Sequence, residues 1–271
     1  MKKIAFVLAA ALLFSCTPKK FTVVQIADAQ LGFNAAEVSA REGTEYVNDL
    51  TFELEYLKKA VEAVNALKPD AVVFTGDQVH RSFDKEQWEI LAASVAEIDP
   101  AVRQFHIPGN HDVVISDKGV DCSDYLAHYP EDRFVHRQNG VLMVGLNSNL
   151  IKYNDSLENA QKEWLKAVLA KEKGEVSIIF SHHPFFLNDI KEEDGYFQIQ
   201  KAKRPEYFEI FKNAGVNALY AGHLHDIAEG EYEGIPVKTM TSVAYQLGEA
   251  KPGIRVITVE NGILTDEVHP L

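Results

Sequence analysis

Five short polar motifs recur in a fixed order along the chain: Asp28-Ala29-Gln30, Gly76-Asp77-Gln78-Val79-His80, Gly109-Asn110-His111-Asp112, Ser181-His182-His183-Pro184 and Gly222-His223-Leu224-His225. Their carboxylates, amides and imidazoles are oxygen and nitrogen donors suited to divalent Mn, Fe or Zn. Each motif follows a run rich in β-branched or aromatic residues that reads as a buried strand: 21–26, 71–75, 103–107, 176–180 and 216–221. Ligands of an open α/β sheet bind at the carboxyl ends of its strands. The pattern therefore points to a two-metal hydrolase. Gly76, Gly109 and Gly222 each precede a donor, where the missing Cβ permits sharp turns and close backbone approach.

Elements of both periods must hold these motifs in place. Residues 45–67 carry Leu50, Leu54, Leu57, Val61, Val64 and Leu67 at helical spacing and stop before Pro69, as a crossover helix between the first two strands would. Amphipathic segments at 85–98, 159–171 and 205–213 each precede an apolar strand, and this alternation predicts an α/β protein. After Gly222 the helical period disappears. Short strands at 231–232, 237–240, 254–259 and 263–267 read as a meander closing a second sheet. Periodicity alone does not distinguish that arrangement from one doubly wound sheet.

The chain has 271 residues, 46% of them hydrophobic, enough for one sizeable core. A formal charge of −13 opposes the phosphate-neutralising contacts of nucleic-acid binding, and no Lys/Arg stripe with interleaved aromatics is present. Residues 1–15 read as a signal peptide, with Lys2 and Lys3 ahead of an apolar stretch too short to span a bilayer. Its end, Leu13-Phe14-Ser15-Cys16, has the form of a lipobox apart from bulky Phe14. The expectation is an exported lipoprotein, lipidated at Cys16, tethered by residues 16–20 and facing the periplasm or cell surface. The membrane is then touched only through the lipid. Cleavage elsewhere, with Cys16 lost or free, is the alternative. Cys122 then has no intrachain partner. Residues 21–271 form one catalytic domain, taken as a monomer.

The order D-x-H/Q, G-D-x-x-H, G-N-H-D, H, G-H-x-H resembles that of the calcineurin-like metallophosphoesterases, over residues 21–271. Gln30, Leu146-Asn147-Ser148, Gly195-Tyr196-Phe197 and Tyr245-Gln246-Leu247-Gly248 are most similar to the branch typified by calcineurin-like phosphoesterase domain-containing protein 1, of Ser/Thr phosphatase type. The resemblance implies a four-layer αββα sandwich, two mixed β-sheets flanked by helices, with a dimetal site at the strand ends. It implies two divalent ions, one held by Asp28, Gln30, Asp77 and His225 and the other by Asp77, Asn110, His182 and His223. Asp77 would bridge, since cations about 3.5 to 4 Å apart need a shared anion to offset their repulsion. Against two divalent ions, Asp28, Asp77 and a bridging hydroxide leave a positive pocket for a phosphoryl group. Gln30, in place of the commoner His, either ligates through its carbonyl oxygen or hydrogen-bonds a metal-bound water.

The resemblance makes His111 a general acid for the leaving group, with Asp112 orienting its ring; otherwise His111 only hydrogen-bonds the phosphate. It selects His182 over His183 as ligand, because adjacent residues of an extended segment point opposite ways. That leaves His183 in the pocket wall or in packing. His80 reads either as a donor to a ligand carboxylate or as structural. His106, His128, His136 and His269 fall outside the motifs and read as structural or surface residues. Two irregular stretches, 31–44 with Phe33 and Arg41, and 183–204 with Tyr196, Phe197, Lys201, Lys203 and Arg204, are expected to shape the substrate cleft. Tyr196 or Phe197 would pack on the leaving group, or simply pin the loop to the body.

The implied activity is phosphomonoester hydrolysis by a metal-bridging hydroxide. Phosphodiester or pyrophosphate hydrolysis on nucleotide or lipid-type substrates is the alternative within enzymes. A non-catalytic surface lipoprotein that binds a phosphorylated ligand is the alternative outside them.

Overall fold

The computed structural model describes residues 19–271; the leader, Cys16 and most of the tether lie outside the described residues. Strand β1 (Lys20–Ile26) leads through α1 (Phe33–Glu42) and α2 (Thr51–Leu67) to β2 (Ala71–Phe74), and α3 (Lys85–Val95) leads on to β3 (Arg103–His106). A small hairpin, β4 (Val114–Ser116) with β5 (Gly119–Asp121), is followed by α4 (Ser123–Leu126) and the antiparallel pair β6 (Phe134–Gln138) and β7 (Val141–Leu146). Then come α5 (Ser148–Lys152), α6 (Glu158–Lys171), β8 (Val176–Ser181), α7 (Arg204–Ala214) and β9 (Ala218–Ala221). Two hairpins complete the chain, β10 (Glu229–Tyr232) with β11 (Ile235–Thr239), and β12 (Gly253–Glu260) with β13 (Ile263–Pro270).

Two mixed sheets result, ordered β13-β12-β1-β2-β3 and β10-β11-β9-β8-β7-β6. The period-2 rule explains why their central strands read as unbroken apolar runs. Phe21 and Val23 of β1 join an apolar cluster between the sheets, with Val73, Met143, Ile178 and Tyr220. Val24 and Ile26 face the other way, toward Leu57, Val61 and Val64 of α2 and Trp88 and Leu91 of α3. Leu142, Val144 and Leu146 of β7 likewise face Leu165 and Leu169 of α6 and Phe208 and Phe211 of α7. Three apolar layers between four layers of structure make the expected αββα sandwich.

Three expectations are corrected. The meander after Gly222 does not form: β10 and β11 extend the second sheet, with β11 parallel to β9, while β12 pairs antiparallel with β1 in the first. Residues 31–44 are not a loop, because α1 occupies most of them. Its ten residues bury no side chain, and left-handed Gly32 (φ 96°) and Gly43 (φ 67°) bound it. Finally, the helix expected from residue 45 starts at Thr51.

His106, expected to be structural, ends β3 with its ring stacked between Phe74 (4.5 Å) and Tyr129 (4.1 Å), and its Nδ1–H donates to Gln78 Oε1 at 2.6 Å. Burial pushes its imidazole from 6.5 down to about 3. Between those values the unfolded chain binds a proton that the folded chain does not. The stabilisation is therefore complete above about pH 6.5 and is lost progressively as the pH falls. Moving from about pH 7.5 to about pH 5 should cost about 2 kcal/mol through this residue. Urea unfolding of metal-free wild type and His106→Phe checks it: the variant should lose less stability by that amount, and equal losses would contradict the burial argument.

Candidate metal centre

The carboxyl ends of parallel strands from both sheets meet at one edge of the sandwich. Asp28 and Gln30 follow β1, Asp77 follows β2, Asn110 and His111 follow β3, His182 follows β8, and His223 and His225 follow β9. The Asp28 carboxylate ties the sheets together there, accepting the His223 N–H at 3.0 and 3.1 Å, while Gly222 N–H donates to the His182 carbonyl at 3.0 Å between the ends of β8 and β9. Asp28, Gln30, Asp77, His223 and His225 all hold positive φ, between 40° and 68°. Non-glycine residues adopt that region at a cost, and such strain concentrates at functional sites. Gly76, at φ 89°, lets β2 turn beside β3: a Cβ there would lie 2.6 Å from Gly109 N and 2.7 Å from His182 Nδ1. A Cβ on Gly109 would overlap Asp77.

Two buried clusters emerge, Asp28 with Asp77 and His225, and His182 with His183 and His223. Asp77 joins them, its Oδ2 lying 3.3 Å from His182 Nε2. The same His182 nitrogen is 3.0 Å from Asn110 Oδ1 and 3.1 Å from His223 Nδ1. Its other nitrogen, Nδ1–H, donates to the Thr75 carbonyl at 2.9 Å, and His225 Nδ1–H donates to the Tyr245 carbonyl at 2.6 Å. In a neutral ring that leaves each Nε2 as a lone pair aimed at other acceptors, His225 Nε2 being 3.5 Å from Asp28 Oδ1. Converging lone pairs need a shared cation or a proton.

Ionisation follows that demand. Burial opposes charge on His182, but Asp77 and Asp28 outweigh it and raise the imidazole to about 9. His225 is raised likewise, chiefly by Asp28 against burial. Burial also opposes ionisation of Asp77, yet His182, His111 and His223 hold its carboxyl well below the usual range. His183 and His223 are pushed down by burial and by neighbouring imidazoles. Gln30 Oε1 and His223 Nε2 are buried without a partner. Gln30, whose backbone N–H donates to the Asp77 carbonyl at 2.8 Å, thus carries a buried amide oxygen that no protein donor satisfies, which fits a cation or its bound water better than a closed polar network. The donor set thus fits two divalent ions sharing Asp77.

His111 stands beside the clusters. Its backbone N–H donates to Asp77 Oδ1 at 2.8 Å and its ring Nδ1–H to the His80 carbonyl at 3.0 Å. Two expected roles are corrected here. Asp112 does not orient the His111 ring: its buried carboxylate accepts from the backbone N–H groups of Gln78, Val79 and Gly109, at 2.8–3.1 Å, locking the two donor loops together. Burial and the Asp77 charge push this carboxyl up to about 7 against the Gly109 and Val79 amides. His80 does not donate to a ligand carboxylate; its ring stacks on His111 at 5.0 Å, and burial, then His111, lower its imidazole to about 4.

His183 stays within the second cluster, its ring 4.9 Å from that of His182 and 4.4 Å from that of His223; its Nδ1 is 3.0 Å from Ser148 Oγ, its ring is edge-on to Tyr153 at 5.8 Å, and its Nε2 is buried without a partner. Arg41 is not brought to the site, since its guanidinium lies in solvent 3.8 Å from Glu42. Nor are Lys203, paired with Glu158 and the Ile151 carbonyl, or Arg204, buried against the carbonyls of Ile190, Glu192 and Ile199. The loop between β8 and α7 does deliver Tyr196 and Phe197, whose rings lie 5.0 and 5.5 Å from that of His223.

Several working groups had no role in the sequence reading. Asn149 Nδ2 donates to the Pro108 and Gly109 carbonyls and so braces the Gly109–Asp112 turn. Its place in the run Asn147-Ser148-Asn149, at a strand end like the other motifs, is a signal that could have found it. The carbonyls of Thr75 and Tyr245 carry no side-chain signature.

The sequence profile described as calcineurin-like phosphoesterase matches residues 21–226. The Danio rerio protein named serine/threonine-protein phosphatase CPPED1 is 30% identical over 269 residues, 93% of this chain and 85% of its own length. A protein of Rhodococcus erythropolis named as a probable cyclic nucleotide phosphodiesterase is 27% identical over 184 residues, 66% of this chain and 58% of that one. The solved purple acid phosphatase PPD1 of yellow lupin shares the fold at a TM-score of 0.70 and 15% identity, over 93% of this chain and 51% of that one.

Proposed function

The chain belongs to the calcineurin-like phosphoesterase family and is a metallophosphoesterase, and from that premise we propose that it hydrolyses phosphomonoesters, with His111 as proton donor. The observation that carries the reading is the position of Asp77. One carboxylate reaches both donor clusters and also accepts the His111 amide, so the cation site and the candidate acid are fixed to a single residue.

Asp28, Gln30, Asp77 and His225 would hold one divalent ion, and Asp77, Asn110, His182 and His223 the other. When bound, such ions neutralise phosphoryl oxygens and lower the pKa of water. The remaining work belongs to the chain. Asp112 and Asn149 fix the Gly109–Asp112 turn, and the His80 carbonyl fixes the His111 ring so that Nε2 can pass its proton to the departing oxygen. His183 serves as pocket wall.

Monoester preference is supported by similarity to a protein named as a Ser/Thr phosphatase along 93% of the chain. Diester hydrolysis is the second reading, supported by the similarity to the named cyclic nucleotide phosphodiesterase. A binding protein without turnover sits poorly with a full donor set in strained backbone.

The test is phosphate release by metal-stripped protein reloaded separately with Mn, Fe, Zn, Mg or Ca. Nitrophenyl phosphate should be hydrolysed only with a transition metal, and faster than bis-nitrophenyl phosphate. The opposite ranking would favour the diesterase, and no turnover with two ions bound would leave a binding protein.

A further inference from the structure

The rim of the site narrows the substrate class, on the premise that the site is a phosphomonoesterase. Tyr196 and Phe197 meet edge to face at 5.2 Å beside His223. On the His225 and His111 side, Phe33 lies 5.7 and 6.3 Å from those two rings and edge-on to Tyr245 at 4.9 Å. Aromatic surface thus flanks the donor clusters from three chain segments. The nearest of these rings lie 5.0–5.7 Å from the rings of His223 and His225, so a group held at the donor clusters has aromatic surface beside it. Tyr196 remains 60% exposed although its ring touches a buried histidine, so a face is free to receive a ligand.

That platform is pre-formed. The buried Lys152 Nζ donates to the carbonyls of Gly195 and Gln198, at 2.7 and 2.5 Å, and the buried Arg204 holds three more carbonyls of the same loop. A rigid aromatic surface binds a flat group with little ordering cost.

The basic side chains of this loop, and that of Lys152, do not turn to the donors. Lys152 and Arg204 are engaged by backbone carbonyls, Lys201 by Glu193 and Lys203 by Glu158. Each of these cations already has its partner, and a second anionic group on the substrate would need one released. We infer that the site selects aryl phosphates, in which an uncharged aromatic ring is the leaving group, over phosphomonoesters carrying another anionic group near the phosphoryl.

Phosphonates test this without the rate bias of leaving-group acidity. Calorimetric titration of the manganese-loaded protein should find phenylphosphonate about tenfold tighter than methylphosphonate, the scale of one or two aromatic contacts. Phosphonoacetate should bind no tighter than methylphosphonate. Tyr196→Ala should bring the phenyl compound to within about threefold of the methyl one, while Tyr196→Phe should keep the preference. Equal binding of phenyl and methyl compounds by wild type, tightest binding of phosphonoacetate, or a preference that survives both Tyr196→Ala and Phe197→Ala would overturn the inference and leave the phosphoesterase reading intact. If neither methylphosphonate nor inorganic phosphate binds, the phosphoesterase reading falls and the inference falls with it.

Discussion

An Asp77→Asn protein should keep its fold, lose at least one of its two cations and release phosphate more slowly by about 10⁴-fold, the scale on which a member of a catalytic unit fails. The fold should survive because Asp77 sits at φ 49°, a left-handed conformation that Asn tolerates as well as Asp does. The cation should not. Asp77 is 1% exposed, lies in one donor cluster with Asp28 and His225, and reaches His182 of the other at 3.3 Å. An amide has one acceptor oxygen and cannot serve the His111 N–H and both clusters. Its NH₂ would also face His182 Nε2, the nitrogen that needs positive charge nearby. Without the shared anion, two ions about 3.5 to 4 Å apart repel each other uncompensated. Metal content by mass spectrometry, with metal titration by calorimetry, measures the first effect, and turnover of nitrophenyl phosphate measures the second. A variant that binds both ions and works within tenfold of wild type would show that Asp77 is not the bridge.

His111→Ala should divide substrates by their leaving group. Rates on an alkyl phosphate should fall about 10²- to 10⁴-fold, as loss of a general acid implies, while nitrophenyl phosphate, whose leaving group needs no proton, should lose much less. The geometry supports this split. The backbone N–H of His111 is tied to Asp77, its Nδ1–H to the His80 carbonyl, and its ring to the His80 stack, so Nε2 is the group free to act. Asp112 bears on the same role from a distance: it places the turn that carries His111 through three amide bonds, without touching the ring. Equal losses on both substrates would mean that His111 only positions the phosphoryl group, and the proton-donor role would be withdrawn.

The donor residues were readable from the chain because each sits where local rules are strong. A buried strand announces itself by β-branched residues, the next turn needs a glycine or a polar residue, and the carboxyl ends of parallel strands share an edge. That logic brings Asp28, Asp77, His182, His183, His223 and His225 to one edge, while the choice of ligands among them came from the resemblance. Where local signals were weak, the reading failed. Helix α1 is only ten residues long and buries no side chain, so tertiary packing does little to mark it, and left-handed Gly32 and Gly43 bound it. The sequence of β12 and β13 says strand but not which sheet. Pairing of β12 with β1 decides that across the fold, and buried Arg255 reaches the Thr239 carbonyl of the facing sheet.

The sequence by itself determined the α/β class, the donor types and their order, and the glycines beside them, because strand periodicity and turn chemistry act over a few residues. The tertiary structure alone decided what each neighbouring polar group does. Asp112 meets amides up to 34 positions away, His182 meets Thr75 across 107, and Lys152 meets a loop more than 40 residues on. Those pairings depend on how two sheets face each other, and no short-range rule encodes which of several nearby carboxylates, imidazoles or cations will point at a given partner.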